Sequence, residues 1–200
     1  DVANAAFFTI FYVPMVPIII FIFKKDFLHW SVWPSVILCL IGGYLLTNFQ
    51  DATVRLGDTL VVLGALFWST HIIFTGMIVK KYNLPLTIGA IQTLLVALFS
   101  FIIGLFSEEF VIDNILNEID SILYAGILSG GFAFVLQIYA QRNITPAPAA
   151  IIFSLEGVFA TIAAWFLLNQ ILGINNLLGC FFILSGVLLS QLVPLIRKAS

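Results

Sequence analysis

AAIIFSLEGVFATIAAWFLL, at residues 149–168, is a long apolar run with one acidic residue, and it leads to the uncharged break NQ at 169–170. The same pattern begins 144 residues earlier, where AAFFTIFYVPMVPIIIFIF at 5–23 leads to the charged break KKD at 24–26. In both copies a shorter apolar run with a glycine near its end follows, and the copies align without a gap. Because the break is basic in one copy and uncharged in the other, the pattern predicts an inverted-topology repeat, which is common among membrane transporters.

The composition predicts an all-α, polytopic membrane protein. The 200-residue chain is 62% hydrophobic and 9% charged, with a mean hydropathy of +1.14, whereas soluble globular domains average about 25% charged residues. Seven apolar stretches approach or exceed the roughly 18–20 residues that span a bilayer as a helix, namely 2–23, 31–49, 59–79, 85–106, 121–141, 147–168 and 174–194. The net charge of −2 does not indicate a nucleic-acid partner, so the lipid bilayer is the expected environment.

The repeat also predicts how the chain is divided. The second repeat begins near Gly57-Asp58, and the same offset places the start of the first about 86 residues before Asp1. We therefore expect an N-terminally truncated part of a ten-helix parent with two inverted five-helix halves. Residues 1–50 would hold the last two helices of the first half, and 57–196 the complete second half. Alone, this piece is not expected to transport, because its cavity would be open to lipid.

The basic residues predict the orientation in the membrane. If all seven stretches span, one side holds the loops 24–30, 80–84 and 142–146 and the tail from residue 195. Seven of the eight lysine and arginine residues lie on that side, and only Arg55 lies on the other. Cytoplasmic loops carry an excess of basic residues. The C-terminus is therefore predicted to be cytoplasmic, and the acidic loop at 107–120 to face outward.

Glu156 is the only acidic residue within a predicted span. It lies about nine residues past Ala147, or roughly 14 Å into the membrane at a rise of about 1.5 Å per residue. A carboxyl at that depth must be neutral, paired or facing a wet cavity. Two interpretations follow. Glu156 couples transport to protons or binds substrate, or it is a hydrogen-bonded carboxyl that locks the helix packing.

Other polar side chains also lie within predicted spans. Trp68, His71 and Thr75 share one helix face, which could line a cavity, although a lone buried histidine is more often bonded to a neighbour. Gln92 and Gln137 are intramembrane amides, which either bind substrate or form hydrogen bonds between helices. Trp68, His71, Gln92, Gln137 and Glu156 are thus the candidate substrate-binding or coupling residues.

Several motifs are missing from the sequence. No lysine lies in a predicted span, and there is no HExxH, GxSxG or Walker lysine loop. We therefore expect no enzyme activity, no catalytic residue, no cofactor and no metal, and we expect Cys39 and Cys180 to be small buried hydrophobes. One alternative is a seven-helix membrane enzyme or sensor, which would need a cofactor lysine or a second buried acid. Another is an inactive partial gene product.

Glycine and proline predict local features of the helices. Gly126 and Gly130 form a GxxxG pair, which favours close helix packing within the bundle. Pro14 and Pro17 lie inside the first span and are expected to bend it. Such a bend is either a gating element or a static kink.

The chain resembles an EamA-type permease of the drug/metabolite transporter superfamily. The resemblance covers the whole chain and is carried by the segments GD…LGALFW at 57–68, LQIYAQR at 136–142, PAPAAIIFSLEGVFA at 146–160 and LG…ILSGVL at 178–188, with NAAF…P at 4–17 and GGYLL at 42–46 in the first repeat. Gly157 departs from the proline that this family often has there, and 169–170 departs from its Gly-Glu helix end.

The resemblance implies ten helices, a cavity between inverted halves and alternating access. It also implies a secondary transporter in the cell (inner or plasma) membrane, an exporter of small metabolites, amino acids or drugs. A small-molecule substrate is therefore the expected partner, and Glu156 is the candidate for proton coupling.

Overall fold

A computed structural model of the chain describes residues 2–25, 28–47 and 56–199. Within these ranges the regular backbone is helical, with no strand. The elements are α1 (Val2–Thr9), α2 (Tyr12–Lys24), α3 (Val32–Thr47), α4 (Leu56–Tyr82), α5 (Pro85–Ser107), α6 (Ile112–Asn117), α7 (Ile119–Leu123), a π-helical segment (Tyr124–Ala133), α8 (Phe134–Gln141), α9 (Pro146–Phe153), α10 (Leu155–Leu168) and α11 (Ile174–Ala199).

Six helical stretches in the described residues are long and apolar enough to cross a membrane. They are Ala5–Phe23, Leu56–Tyr82, Pro85–Ser107, Ile119–Gln141, Pro146–Leu168 and Ile174–Ile196. The remaining predicted span corresponds to α3, whose 16 residues extend about 24 Å, less than the roughly 30 Å of hydrocarbon in a bilayer. The all-α, polytopic membrane class is confirmed. The count of seven spans, and the ten of the parent, stay predictions.

The chain forms two compact units, one of residues 1–74 and 145–200 and one of residues 75–144. In the first unit α3 packs along α11, and α2 packs against α9. Its core consists of side chains that are almost completely buried, including Val13, Val16, Ile72, Ile151 and Ile183. In the second unit α5 packs against α8.

Glycine brings the backbones of α3 and α11 together. A Cβ atom added to Gly42 would lie 2.7 Å from the carbonyl oxygen of Gly179, and one added to Gly179 would lie 2.8 Å from that of Gly42. Real Cβ atoms do not approach a backbone oxygen so closely, so only glycine fits at either position. The prediction for Gly126 and Gly130 is wrong within the described residues, because their added Cβ atoms would meet no neighbouring helix.

Two predicted spans each contain an irregular turn near their middle, called a helix break below, at equivalent positions of the repeat. The backbone stays right-handed helical there, with φ −62° and ψ −15° at Phe11 and φ −60° and ψ −14° at Ser154. The helix of the first copy ends at Thr9 and resumes at Tyr12, and that of the second ends at Phe153 and resumes at Leu155. Thr9 and Phe153 are 144 residues apart. The sequence predicted a bend in the first span but no break in the second.

Proline accounts for the first break. Pro14 has no N–H, so the carbonyl of Ile10, four residues earlier, loses its helical partner. That carbonyl instead accepts a 3.0 Å hydrogen bond from the backbone N–H of Val13. The interruption therefore precedes Pro14 by about one turn. Pro17 lies inside α2, which continues through it.

Hydrogen bonds of serine accompany the second break. The Ser154 hydroxyl donates to the Ile151 carbonyl at 2.6 Å, and the Ser154 carbonyl accepts a 3.3 Å bond from the N–H of Gly157. Both bonds join residues three apart, which tightens the chain relative to an α-helix.

The ends of these interrupted helices match as well. Lys25 follows α2 with φ 52°, and Asn169 follows α10 with φ 52°. These left-handed C-caps are also 144 residues apart. Asparagine tolerates this conformation better than lysine does. Asp26 and Arg55 lie outside the described residues, as do the side chains of Lys24, Arg197 and Lys198.

Candidate functional site

The first unit contains a cavity of about 410 Å³ that both helix breaks border. The first copy of the repeat contributes α1, the turn after it and the end of α3, whereas the second contributes the α9–α10 break and α11. The lining residues are Ala6, Thr9, Ile10, Gly43, Leu46, Thr47, Ser154, Glu156, Gly157, Ala160 and Ile183. A cavity at discontinuous helices is typical of the binding sites of secondary transporters.

Glu156 is the only ionisable residue in this lining within the part of the chain that the structure describes. It lies in the first turn of α10, directly after the break at Ser154. Its side chain is exposed rather than buried in the protein. An acidic side chain deep in a membrane span is expected to face such a cavity, where water can solvate it.

Three hydroxyls in the lining already donate their protons to helix carbonyls. Thr9 donates to Ala5 at 2.8 Å, Thr47 donates to Gly43 at 3.0 Å, and Ser154 donates to Ile151 at 2.6 Å. A hydroxyl has one donor and two acceptor lone pairs. The oxygen atoms of these groups can therefore still accept hydrogen bonds, although the Ser154 side chain is buried.

Tyr12 is the repeat counterpart of Glu156, since the two are 144 residues apart. Its side chain is 1% exposed, and its hydroxyl has no hydrogen-bond partner among the described residues. Sequence reasoning did not select Tyr12, although adding the repeat offset to its number would have identified it. Two polar side chains thus occupy equivalent positions of the repeat.

The structure brings together two of the other candidates, but not in this cavity. The rings of Trp68 and His71 stack with centroids 5.0 Å apart and planes at 18°. Both residues belong to the first unit, and neither lines the cavity described above. The third member of their predicted face, Thr75, belongs to the second unit.

The two glutamines lie in the second unit. The Gln92 amide donates a 3.0 Å hydrogen bond to the Thr75 hydroxyl, which links α5 to α4. The Gln92 carbonyl oxygen and the Gln137 amide nitrogen are buried without a hydrogen-bond partner among the described residues. Gln92 therefore forms a hydrogen bond between helices, which was one of the two interpretations of this residue. Each of the two glutamines also has one side-chain polar atom that is not hydrogen-bonded among the described residues.

Asp58 requires a correction to the expectation that the chain has no second buried acid. It lies in the first turn of α4 and is only 5% exposed. Its position at the edge of a predicted span concealed this burial, because span edges normally face water. Asp58 is not part of the lining around Glu156, so the two carboxyls do not form a pair there.

Comparison with known proteins identifies the family. Residues 55–192, more than half of the chain, match the EamA-like transporter family. The chain belongs to this family. It is therefore a member of the drug/metabolite transporter superfamily, as the sequence motifs predicted.

Several named relatives are similar over most of the chain. It is 30% identical over 195 residues to an uncharacterized transporter of Archaeoglobus fulgidus, covering 94% of this chain and 60% of that protein. It is 27% identical over 168 residues to the uncharacterized transporter YoaV of Bacillus subtilis, covering 80% and 55%. It is also 27% identical over 166 residues to WALLS ARE THIN 1 of Arabidopsis thaliana, covering 80% and 40%. The chain thus spans about half the length of these relatives.

Proposed function

We propose that the protein forms part of a secondary transporter that exports small metabolites, amino acids or drugs across the cell membrane by alternating access. The observation that carries this proposal is the cavity bordered by two helix breaks at equivalent positions of the repeat. Family membership supports the class of protein, and the cavity supports the place at which a solute would bind.

The breaks favour alternating access because an interrupted helix can move in halves. At each break some backbone hydrogen bonds join residues three apart instead of four, and such an irregular turn can change its φ and ψ angles more easily than a regular helix. Here the two breaks face one cavity from opposite copies of the repeat. A tilt of α1 relative to α2, or of α9 relative to α10, would change access to the cavity from one side of the membrane.

The candidate residues take different roles in this proposal. Glu156 lines the cavity and is the proposed coupling or substrate-binding group. Trp68, His71, Gln92 and Gln137 are proposed as further substrate contacts, with the unused amide atoms of the glutamines as the supporting feature. The excess of basic residues on one set of loops supports a cytoplasmic C-terminus.

Uptake by proteoliposomes that contain the full-length product of the gene tests this proposal. The vesicles would be incubated with a polar metabolite extract, and the accumulated solutes would be identified by mass spectrometry against empty vesicles. We expect at least one solute to accumulate. Accumulation of none, in either membrane orientation and with an imposed ion gradient, would contradict the proposal.

A matched pair of variants links transport to the cavity. Gly157 lines the cavity, and a Cβ atom there would lie 3.3 Å from the flexible end of Leu46, so Gly157→Leu fills the space. Gly64 has no atom within 4 Å of an added Cβ, so Gly64→Leu adds the same side chain elsewhere. We expect only Gly157→Leu to stop uptake, with both variants eluting as folded protein in size-exclusion chromatography.

A further inference from the structure

We propose that the cavity around Glu156 binds an organic ammonium ion with an apolar body, such as a protonated primary amine. This inference rests on the proposed function, because it names the substrate class of the same cavity. It depends on three properties of the lining: its charge, its hydrogen-bonding groups and its apolar surface.

The charge of the lining favours a cation. Among the residues that the structure describes, Glu156 is its only ionisable member, and no described lysine, arginine or histidine side chain belongs to it. Charges interact more strongly in a low-dielectric surrounding than in water. A bound cation would pair with the carboxylate, whereas a bound anion would meet a like charge with no compensating basic group.

The hydrogen-bonding groups favour a ligand that donates. The hydroxyls of Thr9 and Thr47, two of the lining residues, use their protons on helix carbonyls, so their oxygens remain available as acceptors. An ammonium group has three donors and no acceptor. A phosphate or carboxylate ligand would need donors that these side chains do not supply.

The rest of the lining is apolar. Ala6, Ile10, Leu46, Ala160 and Ile183 supply aliphatic surface on which a hydrocarbon body can pack. The volume of about 410 Å³ lies in the range of roughly 300–1,000 Å³ that is usual for small-molecule sites. Sugars and nucleotides, which are rich in hydroxyls, would leave their polar groups unbonded against this surface.

Three probes that share the same apolar phenylbutyl group separate the effect of ligand charge from that of apolar packing. They are 4-phenylbutylamine, 4-phenylbutanol and 4-phenylbutyrate. Their binding to the protein in nanodiscs of zwitterionic phosphatidylcholine would be measured by isothermal titration calorimetry, with the heat from empty nanodiscs subtracted. We expect the amine to bind more tightly than the alcohol and the butyrate to show no binding. Equal or tighter binding of the butyrate would overturn the proposal, and this comparison needs no variant.

Two variants that each remove one negative charge test whether the amine binds in the cavity. Glu156→Gln should weaken amine binding by about tenfold or more, as expected for the loss of a charged hydrogen bond. Glu109→Gln removes a carboxylate from an exposed segment outside the lining and should leave amine binding unchanged. Unchanged amine affinity in Glu156→Gln would overturn the proposal.

The binding measurement is independent of transport, so the two proposals can fail separately. Selective amine binding without uptake of any solute would support the ammonium site and contradict the transporter proposal for this protein. Uptake of solutes, combined with no preference for binding the amine over the butyrate, would support the transporter proposal and contradict the ammonium site.

Discussion

Gly42 and Gly186, which are 144 residues apart, occupy equivalent places on the two sides of the crossing between α3 and α11. A Cβ atom on Gly42 would lie 2.7 Å from the carbonyl oxygen of Gly179, and one on Gly186 would lie 2.8 Å from that of Ser35. Ser35 and Gly179 are themselves 144 residues apart. The two copies of the repeat therefore cross with approximate twofold symmetry, although few of their residues are identical.

This crossing predicts a strong effect of a single methyl group. Gly179→Ala should lower the free energy of unfolding by about 1–3 kcal/mol, because the new Cβ atom would press on the backbone of Gly42 and on Leu46. Gly64→Ala is the control, since its added Cβ atom meets no neighbour within 4 Å and alanine favours a helix by up to about 1 kcal/mol. Unfolding in mixed micelles of increasing SDS content measures the free energy of unfolding of both variants. Equal stabilities would contradict the close approach.

The break between α1 and α2 predicts a change in hydrogen exchange. Pro14→Ala restores an N–H that can bond to the Ile10 carbonyl, so the helix can continue through the break. Hydrogen–deuterium exchange of the peptide around residues 7–16 should become slower. Pro194→Ala, near the end of α11, should leave that peptide unchanged. Unaltered exchange in Pro14→Ala would show that tertiary packing, rather than proline, maintains the break.

The two cysteines should differ in reactivity. Cys39 is completely buried, with its sulfur 3.4 Å from the Ser154 hydroxyl oxygen, whereas Cys180 is partly exposed. In the folded protein a membrane-permeant maleimide should label the Cys39→Ser variant, which retains Cys180, much faster than the Cys180→Ser variant. After denaturation in SDS both should label fully. Faster labelling at Cys39 in the folded protein would contradict the packing of α3.

The basic loops predict the orientation in the membrane. In a background without native cysteines, Lys81→Cys should react with a membrane-impermeant maleimide only after the cells are opened, because basic loops are cytoplasmic. Glu109→Cys should react in intact cells. The full-length product of the gene should be used. Labelling of both positions from the same side would refute the predicted topology.

Proton coupling makes a separate prediction for Glu156. If its carboxyl carries the coupled proton, Glu156→Gln should abolish transport driven by a pH gradient. The reason is that a side-chain amide neither takes up nor releases a proton near neutral pH. Solute uptake by proteoliposomes with and without the gradient measures the effect, and Glu109→Gln serves as the charge-matched control. Full gradient-driven uptake by Glu156→Gln would remove the coupling role.

Sequence reasoning located Glu156 because an acidic residue inside an apolar run is conspicuous and energetically costly. It missed Tyr12, which has an ordinary aromatic side chain in an aromatic-rich span and becomes notable only because its hydroxyl is buried. It also missed the burial of Asp58, since burial depends on neighbouring helices. The GxxxG pair at 126–130 was misleading, whereas the glycines that pack closely, Gly42 and Gly179, come from different helices.

The sequence by itself determined the class of protein and the positions of the apolar stretches, and it predicted the repeat, because hydropathy and its period act locally along the chain. Only the tertiary structure decided where the helices break into a shared cavity and which backbones touch. Those features depend on contacts between residues far apart in sequence. The strength of such contacts is set by distances of a few ångströms, which no local pattern encodes.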